Sequence, residues 1–225
     1  RRGVQHVHAF AIDNALVRPA DPVFIGYCID QGADCGNKVL WKTGPHEKVG
    51  VVATRGGKPC VVEYSDLSRE MAEMTDQGGR LVYGAGNICN HYYTLSFIRD
   101  VVVPNVGNMY HVASKKIPTY DFALQKTVKP TKNNGIKLES FIFDVFPLSQ
   151  KMAVLDVSRE EEFAPVKNAP GSDSDSPDTA RKLMSELAKK WLKTAGAMLT
   201  GEVDSDGCEI GPLSSYGGEG LEEYE

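Results

Sequence analysis

Short apolar runs separated by polar turns fill the first two thirds of the chain. Residues 6–12 are mostly apolar and predict a buried strand that stops at Asp13 and Asn14. The pair Asp21-Pro22 predicts the start of a helix, because aspartate caps a first turn and proline fits the first helical position. The sequence therefore predicts a strand that ends on a carboxylate, followed by a short loop and a helix.

Strand patterns alternate with helical ones over the next hundred residues. Strands are predicted over residues 36–43, 49–55, 59–64 and 81–87, and a charged helical stretch over residues 66–75. The turn at Gly56-Gly57 indicates that the second and third strands form a hairpin. The alternation predicts an α/β fold, and the hairpin favours a mixed rather than a purely parallel sheet.

The later part of the chain carries weaker patterns. Residues 104–135 are rich in Pro, Asn, Gly and Lys and predict mostly loop, with one short strand near Ile117. Residues 138–146 have the spacing of a helical face that Pro147 would end, and residues 152–157 predict a strand. A helix starting at Ser176-Pro177 has an apolar stripe that predicts core packing, formed by Leu183, Leu187, Trp191, Ala195 and Met198.

Charge and cysteine usage exclude several classes of protein. The net charge of −5 argues against a nucleic-acid-binding surface, and no apolar run is long enough to cross a bilayer. The 5 cysteines are odd in number and lack C-x-x-C spacing, which argues against a zinc site or a disulfide framework. A reducing, cytoplasmic location is the simplest interpretation.

Polar residues at predicted strand ends are the candidate chemistry: Asp13, Glu63 and Asn87. Lys137 and Lys167 stand beside turn residues. Carboxylate and amide groups suit the hydroxyls of a small ligand, and the two lysines suit its phosphates. Each residue also has a structural explanation, since Asp13 and Asn87 are common turn residues and surface lysines are usually only solvated. The residues alone predict an α/β domain that binds a small phosphorylated ligand, without a recognisable phosphate-binding loop.

Seven separate runs, in order, resemble eukaryotic UDP-N-acetylglucosamine (UDP-N-acetylhexosamine) pyrophosphorylase, and the likeness covers nearly the whole chain. It is weakest over residues 101–127 and 169–176, and near residues 200–207 the chain looks shorter than that family. The runs are IDNALVRPADPVFIGYCIDQGADCGNKV, VVEYSDLS, YGAGNICNHYYTLSF, KPTKNNGIKLE, FIFDVF, REEEFAPVKNA and CEIGPLSSYGGEGLEEY.

The resemblance implies a transferase that joins UTP to N-acetylglucosamine-1-phosphate, giving UDP-N-acetylglucosamine and pyrophosphate. It implies magnesium (or manganese) as cofactor and a Rossmann-like nucleotidyltransferase domain with smaller flanking domains. Nucleic acid and membrane are not expected partners, and the protein is expected to be a monomer or a homodimer.

The resemblance also implies a role for each candidate residue. Asp13 would sit at the nucleotide phosphates and the metal, and Lys137 and Lys167 would contact phosphates. The sugar would be held by Gly50, Glu63, Tyr64 and Asn87, with Phe141 and Phe143 near its N-acetyl group.

The family's Gly-rich signature loop is missing, and the family continues past Glu225. The chain is therefore expected to be a fragment: residues 1–165 would be the second half of the nucleotidyltransferase domain, and residues 166–225 the start of the C-terminal domain. The isolated fragment is expected to be inactive. Two alternatives remain open, a non-catalytic sugar-nucleotide-binding module and a pyrophosphorylase for another hexose-1-phosphate.

Overall fold

The computed structural model describes residues 2–199 and 207–224 of the 225-residue chain. Residues 200–206, most of the region where the chain looks shorter than the family it resembles, lie outside the described residues. The strands are β1 (His6–Phe10), β2 (Cys35–Trp41), β3 (Val51–Arg55), β4 (Lys58–Val62), β5 (Ala85–Thr94), β6 (His111–Lys115), β7 (Thr119–Asp121), β8 (Lys126–Val128), β9 (Gly135–Glu139) and β10 (Met152–Asp156). The α-helices are α1 (Pro22–Asp30), α2 (Arg69–Glu73), α3 (Val103–Asn105), α4 (Arg159–Glu162) and α5 (Pro177–Thr194). A π-helical segment covers Phe97–Val102 and 3₁₀ turns cover Val106–Asn108, Phe146–Leu148 and Glu222–Tyr224.

The six-stranded sheet is built around β5, the longest strand. Its order is β10-β2-β5-β3-β4, and β1 also pairs with β5. The β1–β5, β2–β5 and β3–β4 pairs are antiparallel, whereas β10 and β2 are parallel. The predicted mixed α/β architecture and the Gly56-Gly57 hairpin are therefore confirmed.

The strand predicted over residues 81–87 was placed too early. The structure begins β5 at Ala85 and continues it to Thr94, through the polar run Asn90-His91. Both of these residues are almost completely buried: the His91 ring packs against Phe143 and Phe146, and the Asn90 side chain bonds to His8. Packing on the faces of the sheet therefore overrides the polar character that hides this strand in the sequence.

Helix α1 starts as the sequence predicts. The Asp21 side chain accepts a hydrogen bond from the Val23 backbone N–H, and Pro22 occupies the first turn. The helix packs on one face of the sheet, where Phe24 and Cys28 join Tyr92 in a buried cluster. This packing fixes the loop between β1 and α1, which carries Asp13.

The opposite face of the sheet is covered by aromatic side chains. Its buried cluster contains Cys35, Tyr93, Phe97, Phe143, Val145 and Phe146. The helix predicted over residues 138–146 is wrong: β9 ends at Glu139, turns follow, and a 3₁₀ turn includes Pro147. The apolar residues pack as a compact turn against the sheet, so their spacing reflects tertiary contacts rather than a helical face.

The prediction for residues 104–135 also needs correction. The structure forms two small antiparallel two-stranded sheets, β6 with β9 and β7 with β8, and Ile117 lies between strands rather than in one. These strands are mostly exposed. Because they have no buried face, their sequences lack the alternation of apolar and polar residues by which strands are predicted.

Helix α5 starts at Pro177 with Ser176 as its cap, as predicted. Its buried apolar face meets the β1–α1 loop, and the cluster contains Leu16, Ala164, Ala180 and Leu187. The predicted stripe is wrong at two positions, because the side chains of Leu183 and Met198 are exposed. None of the helices in the described residues is long and apolar enough to cross a membrane.

Candidate functional site

The loop after β1 and the segment after α4 are tied together by backbone contacts. The Val166 N–H donates to the Asp13 carbonyl at 2.8 Å, and Asn14 reinforces the contact from a buried position. The Asn14 side chain donates to the Glu162 carbonyl at 2.7 Å and accepts from the Ala164 N–H at 2.8 Å. Asp13 is thereby held beside the segment that carries Lys167, although the two are far apart in sequence.

Cys89 marks the point where the predicted charges meet. Burial raises the pKa of its thiol, the charge of Lys167 opposes that rise, and the charges of Asp13 and Glu63 add to it. The backbone of Cys89 connects two of the segments concerned, because the Ala11 N–H donates to the Cys89 carbonyl and the Cys89 N–H donates to the Asn87 side-chain oxygen, both at 3.0 Å. Cys89 also has a positive φ of 53°, a strained backbone conformation for a non-glycine residue and one that is common at functional sites.

Gly50, Glu63 and Asn87 form the adjoining wall. The Asn87 N–H donates to the Gly50 carbonyl at 2.8 Å. A Cβ atom on Gly50 would lie 3.1 Å from Glu63 Oε1 and 3.0 Å from Val61 Cγ1. Glycine at position 50 therefore leaves the space in which the Glu63 carboxylate sits.

The Glu63 carboxyl is half-buried and stands among other acids. Burial raises the pKa of Glu63, the charges of Asp66, Asp144 and Glu139 raise it further, and His111 opposes them. A carboxyl whose folded pKa is raised favours the folded state at low pH, and this contribution is lost as pH rises above its ordinary value of 4.5.

We expect Glu63→Gln to remove this dependence. Urea unfolding midpoints of the parent and the variant, compared from pH 4 upwards in about half-unit steps, should show the parent losing stability relative to the variant as pH rises through the Glu63 titration. A constant difference across this range would show that Glu63 titrates as an ordinary exposed carboxyl. Asp66→Asn should move the transition towards lower pH.

Phe141 and Phe143 stack at 5.0 Å, with their rings nearly parallel. Phe143 is buried and Phe141 is half-buried, so packing explains the inner ring and leaves the outer one accessible. Asp144 fixes this turn: one carboxylate oxygen accepts from the Phe141 N–H at 2.7 Å, and the other lies 2.6 Å from His111 Nε2. Neither Asp144 nor His111 is among the residues predicted from the sequence. A single carboxylate within the aromatic run FIFDVF is the signal that could have indicated the first.

Two predicted residues lie apart from this group. Lys137 is exposed on β9 and its ammonium is 3.5 Å from Glu139, which in turn acts on Glu63. Tyr64 lines a different groove with His46, Lys48 and Arg69. The structure therefore groups five of the predicted residues: Asp13, Lys167, Gly50, Glu63 and Asn87. The Phe141–Phe143 stack adjoins this group, because Asp144 bonds to Phe141 and its charge also affects Glu63. Lys137 and Tyr64 lie at the periphery.

Asp13 is the predicted site residue whose carboxylate could bind a metal ion. Asp13 is half-buried and its carboxylate accepts no hydrogen bond from the described residues. No group of three or more His, Cys, Asp or Glu side chains that could hold a metal occurs within residues 2–199 and 207–224. A single free carboxylate suits Mg²⁺, which is commonly bound by one or two carboxylates together with substrate phosphates and water.

Comparisons with known proteins identify the family of the chain. The chain is 48% identical to a human UDP-N-acetylhexosamine pyrophosphorylase-like protein 1 and 46% identical to the UDP-N-acetylglucosamine pyrophosphorylase of Saccharomyces cerevisiae. Both alignments cover 100% of this chain and 47% of the relative, so the chain spans about half the length of the curated relatives it matches.

A solved structure is similarly close. The crystal structure of the uridine diphosphate N-acetylglucosamine pyrophosphorylase of Trypanosoma brucei, in complex with an inhibitor, superimposes with a TM-score of 0.81 at 35% identity. The superposition covers 98% of this chain and 45% of that one. The model of the UTP–glucose-1-phosphate uridylyltransferase family matches residues 1–198. This chain is therefore a member of the UTP–glucose-1-phosphate uridylyltransferase family and carries its nucleotidyltransferase-like α/β fold.

Proposed function

We propose that this chain supplies the sugar side of the active site of a uridylyltransferase that makes UDP-N-acetylglucosamine and pyrophosphate from UTP and N-acetylglucosamine-1-phosphate. The observation that carries the proposal is that hydrogen bonds tie the loop with Asp13 to the segment with Lys167 and, through Cys89 and Asn87, to the wall that contains Gly50 and Glu63. The names of the relatives from human, yeast and Trypanosoma brucei support the N-acetylated sugar as the substrate.

In the proposed reaction a phosphate oxygen of the sugar phosphate attacks the α-phosphorus of UTP, and pyrophosphate leaves. A phosphate nucleophile is already ionised at neutral pH, so no general base is required. Positioning and neutralisation of charge supply most of the acceleration. Lys167 and Lys137 would contact phosphates, Glu63 and Asn87 would bind the sugar with Gly50 and Tyr64 nearby, and Phe141 with Phe143 would contact the N-acetyl group.

Magnesium (or manganese) is the proposed cofactor, and Asp13 is the residue of this chain that would hold it. The free carboxylate and its nearness to Lys167 fit a cation shared with substrate phosphates. The metal would offset the negative charge that builds up on the phosphates.

The remaining features of the protein are proposals of the same kind. We propose that residues 1–165 are the second half of the nucleotidyltransferase domain and that residues 166–225 begin a C-terminal domain. We further propose a cytoplasmic protein, monomeric or homodimeric, that has neither nucleic acid nor membrane as a partner.

Magnesium-dependent release of pyrophosphate tests the proposal directly. We expect UTP with N-acetylglucosamine-1-phosphate to support turnover in the complete protein, and the isolated 225-residue chain to be inactive. Glucose-1-phosphate is the matched control substrate, and a preference for it would transfer the proposal to another hexose-1-phosphate. No turnover with either sugar in the complete protein, together with tight binding of UDP-N-acetylglucosamine, would favour a non-catalytic sugar-nucleotide-binding module.

A further inference from the structure

The side-chain oxygen of Asn87 is the acceptor of three hydrogen bonds. The Cys89 backbone N–H donates to it at 3.0 Å, the Asn37 side-chain nitrogen lies at 3.2 Å, and His91 Nε2 lies at 3.2 Å. The Asn87 side-chain nitrogen, in contrast, has only the Cys89 sulfur at 3.8 Å as a partner in the described residues. The oxygen of the Asn87 amide therefore has a full set of donors, whereas its nitrogen has only one weak partner in the described residues.

The backbone contact decides the orientation of all three side chains. A backbone N–H can only donate, so the Asn87 atom facing Cys89 must be the oxygen. Asn37 must then present its nitrogen, and His91 must carry its proton on Nε2. With Asn37 and His91 in these orientations, rotating the Asn87 amide by half a turn would replace three attractive contacts with three donor–donor contacts.

His91 is well suited to keep this role. It is completely buried, and burial, followed by the nearby His8, lowers its pKa to about 3, so the ring stays neutral. Phe143 and Phe146 meet the ring edge-on at centroid distances of 6.2 and 5.1 Å and hold its orientation. The ring therefore connects the amide of Asn87 to the aromatic turn that carries the Phe141–Phe143 stack.

Asn37 is harder to explain by packing. It is completely buried on β2, and its side-chain oxygen has no hydrogen-bond partner among the residues the structure describes. An unpaired buried polar atom destabilises a fold, and an apolar side chain of similar size would avoid this cost. The donor that Asn37 gives to Asn87 is the one compensating contact of its side chain in the described part of the chain.

We propose that Asn37 and His91 are positioning residues that lock the Asn87 carboxamide so that the N–H group not facing the Cys89 sulfur is directed at an acceptor oxygen of the bound sugar phosphate. The proposal rests on the proposed function, because it takes the sugar phosphate as the occupant of the site. Neither residue touches the substrate; both act through Asn87.

Asn37→Leu and His91→Phe in the complete protein test the proposal by steady-state kinetics. Each variant should raise the KM for N-acetylglucosamine-1-phosphate about five- to tenfold, the effect expected from losing one hydrogen bond, and leave the KM for UTP unchanged. The Asn37→Leu variant should also keep or increase the urea midpoint of unfolding. A purely structural role predicts instead that stability falls and that both KM values change together.

A double-mutant cycle shows whether the two residues act through Asn87. In an Asn87→Ala background, Asn37→Leu and His91→Phe should cause no further rise in the KM of the sugar phosphate. His91→Gln, which retains an N–H donor, should recover part of the loss seen in His91→Phe. Additive effects in the Asn87→Ala background would overturn the proposal.

A measurement without turnover separates this proposal from the proposed function. In protein labelled with ¹⁵N-asparagine, the two side-chain amide signals of Asn87 should be sharp in the parent and shifted and broadened in Asn37→Leu. Unchanged signals would overturn the positioning role even in a fully active enzyme. If the parent protein transfers no uridylyl group, the proposed function is wrong. If the Asn87 signals still shift in Asn37→Leu, the positioning of the Asn87 amide by Asn37 stands regardless of that function.

Discussion

Asp13→Ala in the complete protein is expected to lower turnover about a hundredfold or more, the loss typical of removing a group that stabilises charge at a reacting phosphate. Because the Asp13 carboxylate accepts no hydrogen bond from the described residues, its loss should leave the fold intact. The Asp13 carbonyl, which accepts from Val166, is retained in the alanine variant. Turnover at saturating substrates, with unfolding midpoints for the same samples, measures both effects.

Asp30→Ala is the matched control, since it removes an exposed carboxylate from the last position of α1. It should leave turnover unchanged. Asp13→Asn keeps the shape of the side chain and removes its charge, so it should remain as impaired as the alanine variant if the charge is what matters. Turnover within about threefold of the parent in Asp13→Ala would remove Asp13 from the site, because a threefold change is less than about 1 kcal/mol.

Lys38→Met is expected to destabilise the protein by about 3–5 kcal/mol, the usual cost of breaking a buried ion pair from one side. The Lys38 side chain is completely buried; its ammonium lies 2.5 Å from Asp21 Oδ2 and also bonds to Glu162. Asp21 and Glu162 are themselves buried. Methionine fills a similar volume but leaves both carboxylates without their cation.

The pH dependence of this loss identifies its cause. Burial acts to raise the pKa of Asp21, but the hydrogen bond and charge of Lys38, helped by the Val23 and Phe24 amides, hold it below the ordinary value of 3.8. Stability from this group is therefore present above pH 3.8 and lost as pH falls through the lowered pKa. The difference between parent and Lys38→Met should be largest near neutral pH and shrink in acid.

Two further variants control for the loss of a positive charge. Arg99→Met removes an exposed cation that pairs with Asp100, and its unfolding midpoint should match the parent. Adding Glu162→Gln to Lys38→Met removes one of the stranded carboxylates and should restore part of the lost stability. A loss below about 1 kcal/mol in Lys38→Met at pH 7 would mean that water or another group replaces the ammonium.

Short sequence motifs were sufficient to predict the helix starts and the hairpin turn, because the residues of the motif itself stabilise these structures. Asp21-Pro22 and Ser176-Pro177 start helices because a side-chain acceptor satisfies the first free amides, whatever surrounds them. The Gly56-Gly57 turn fixes its hairpin in the same way, since both glycines have positive φ. Residues 138–146 show the limit of this reasoning, because apolar spacing alone does not distinguish a helix from a turn that packs on a sheet.

The sequence by itself determined the fold class, the family and the residues that could carry chemistry, because these depend on residue types and on motifs read along the chain. Only the tertiary structure decided which of those residues meet. Asp13 lies beside the segment that carries Lys167 because Asn14 ties two distant loops together. The buried partners of Asn87 were invisible in the sequence, because an asparagine or histidine in a strand shows its role only when the opposite side chain is known. Contacts between distant segments come from packing, and no local pattern records them.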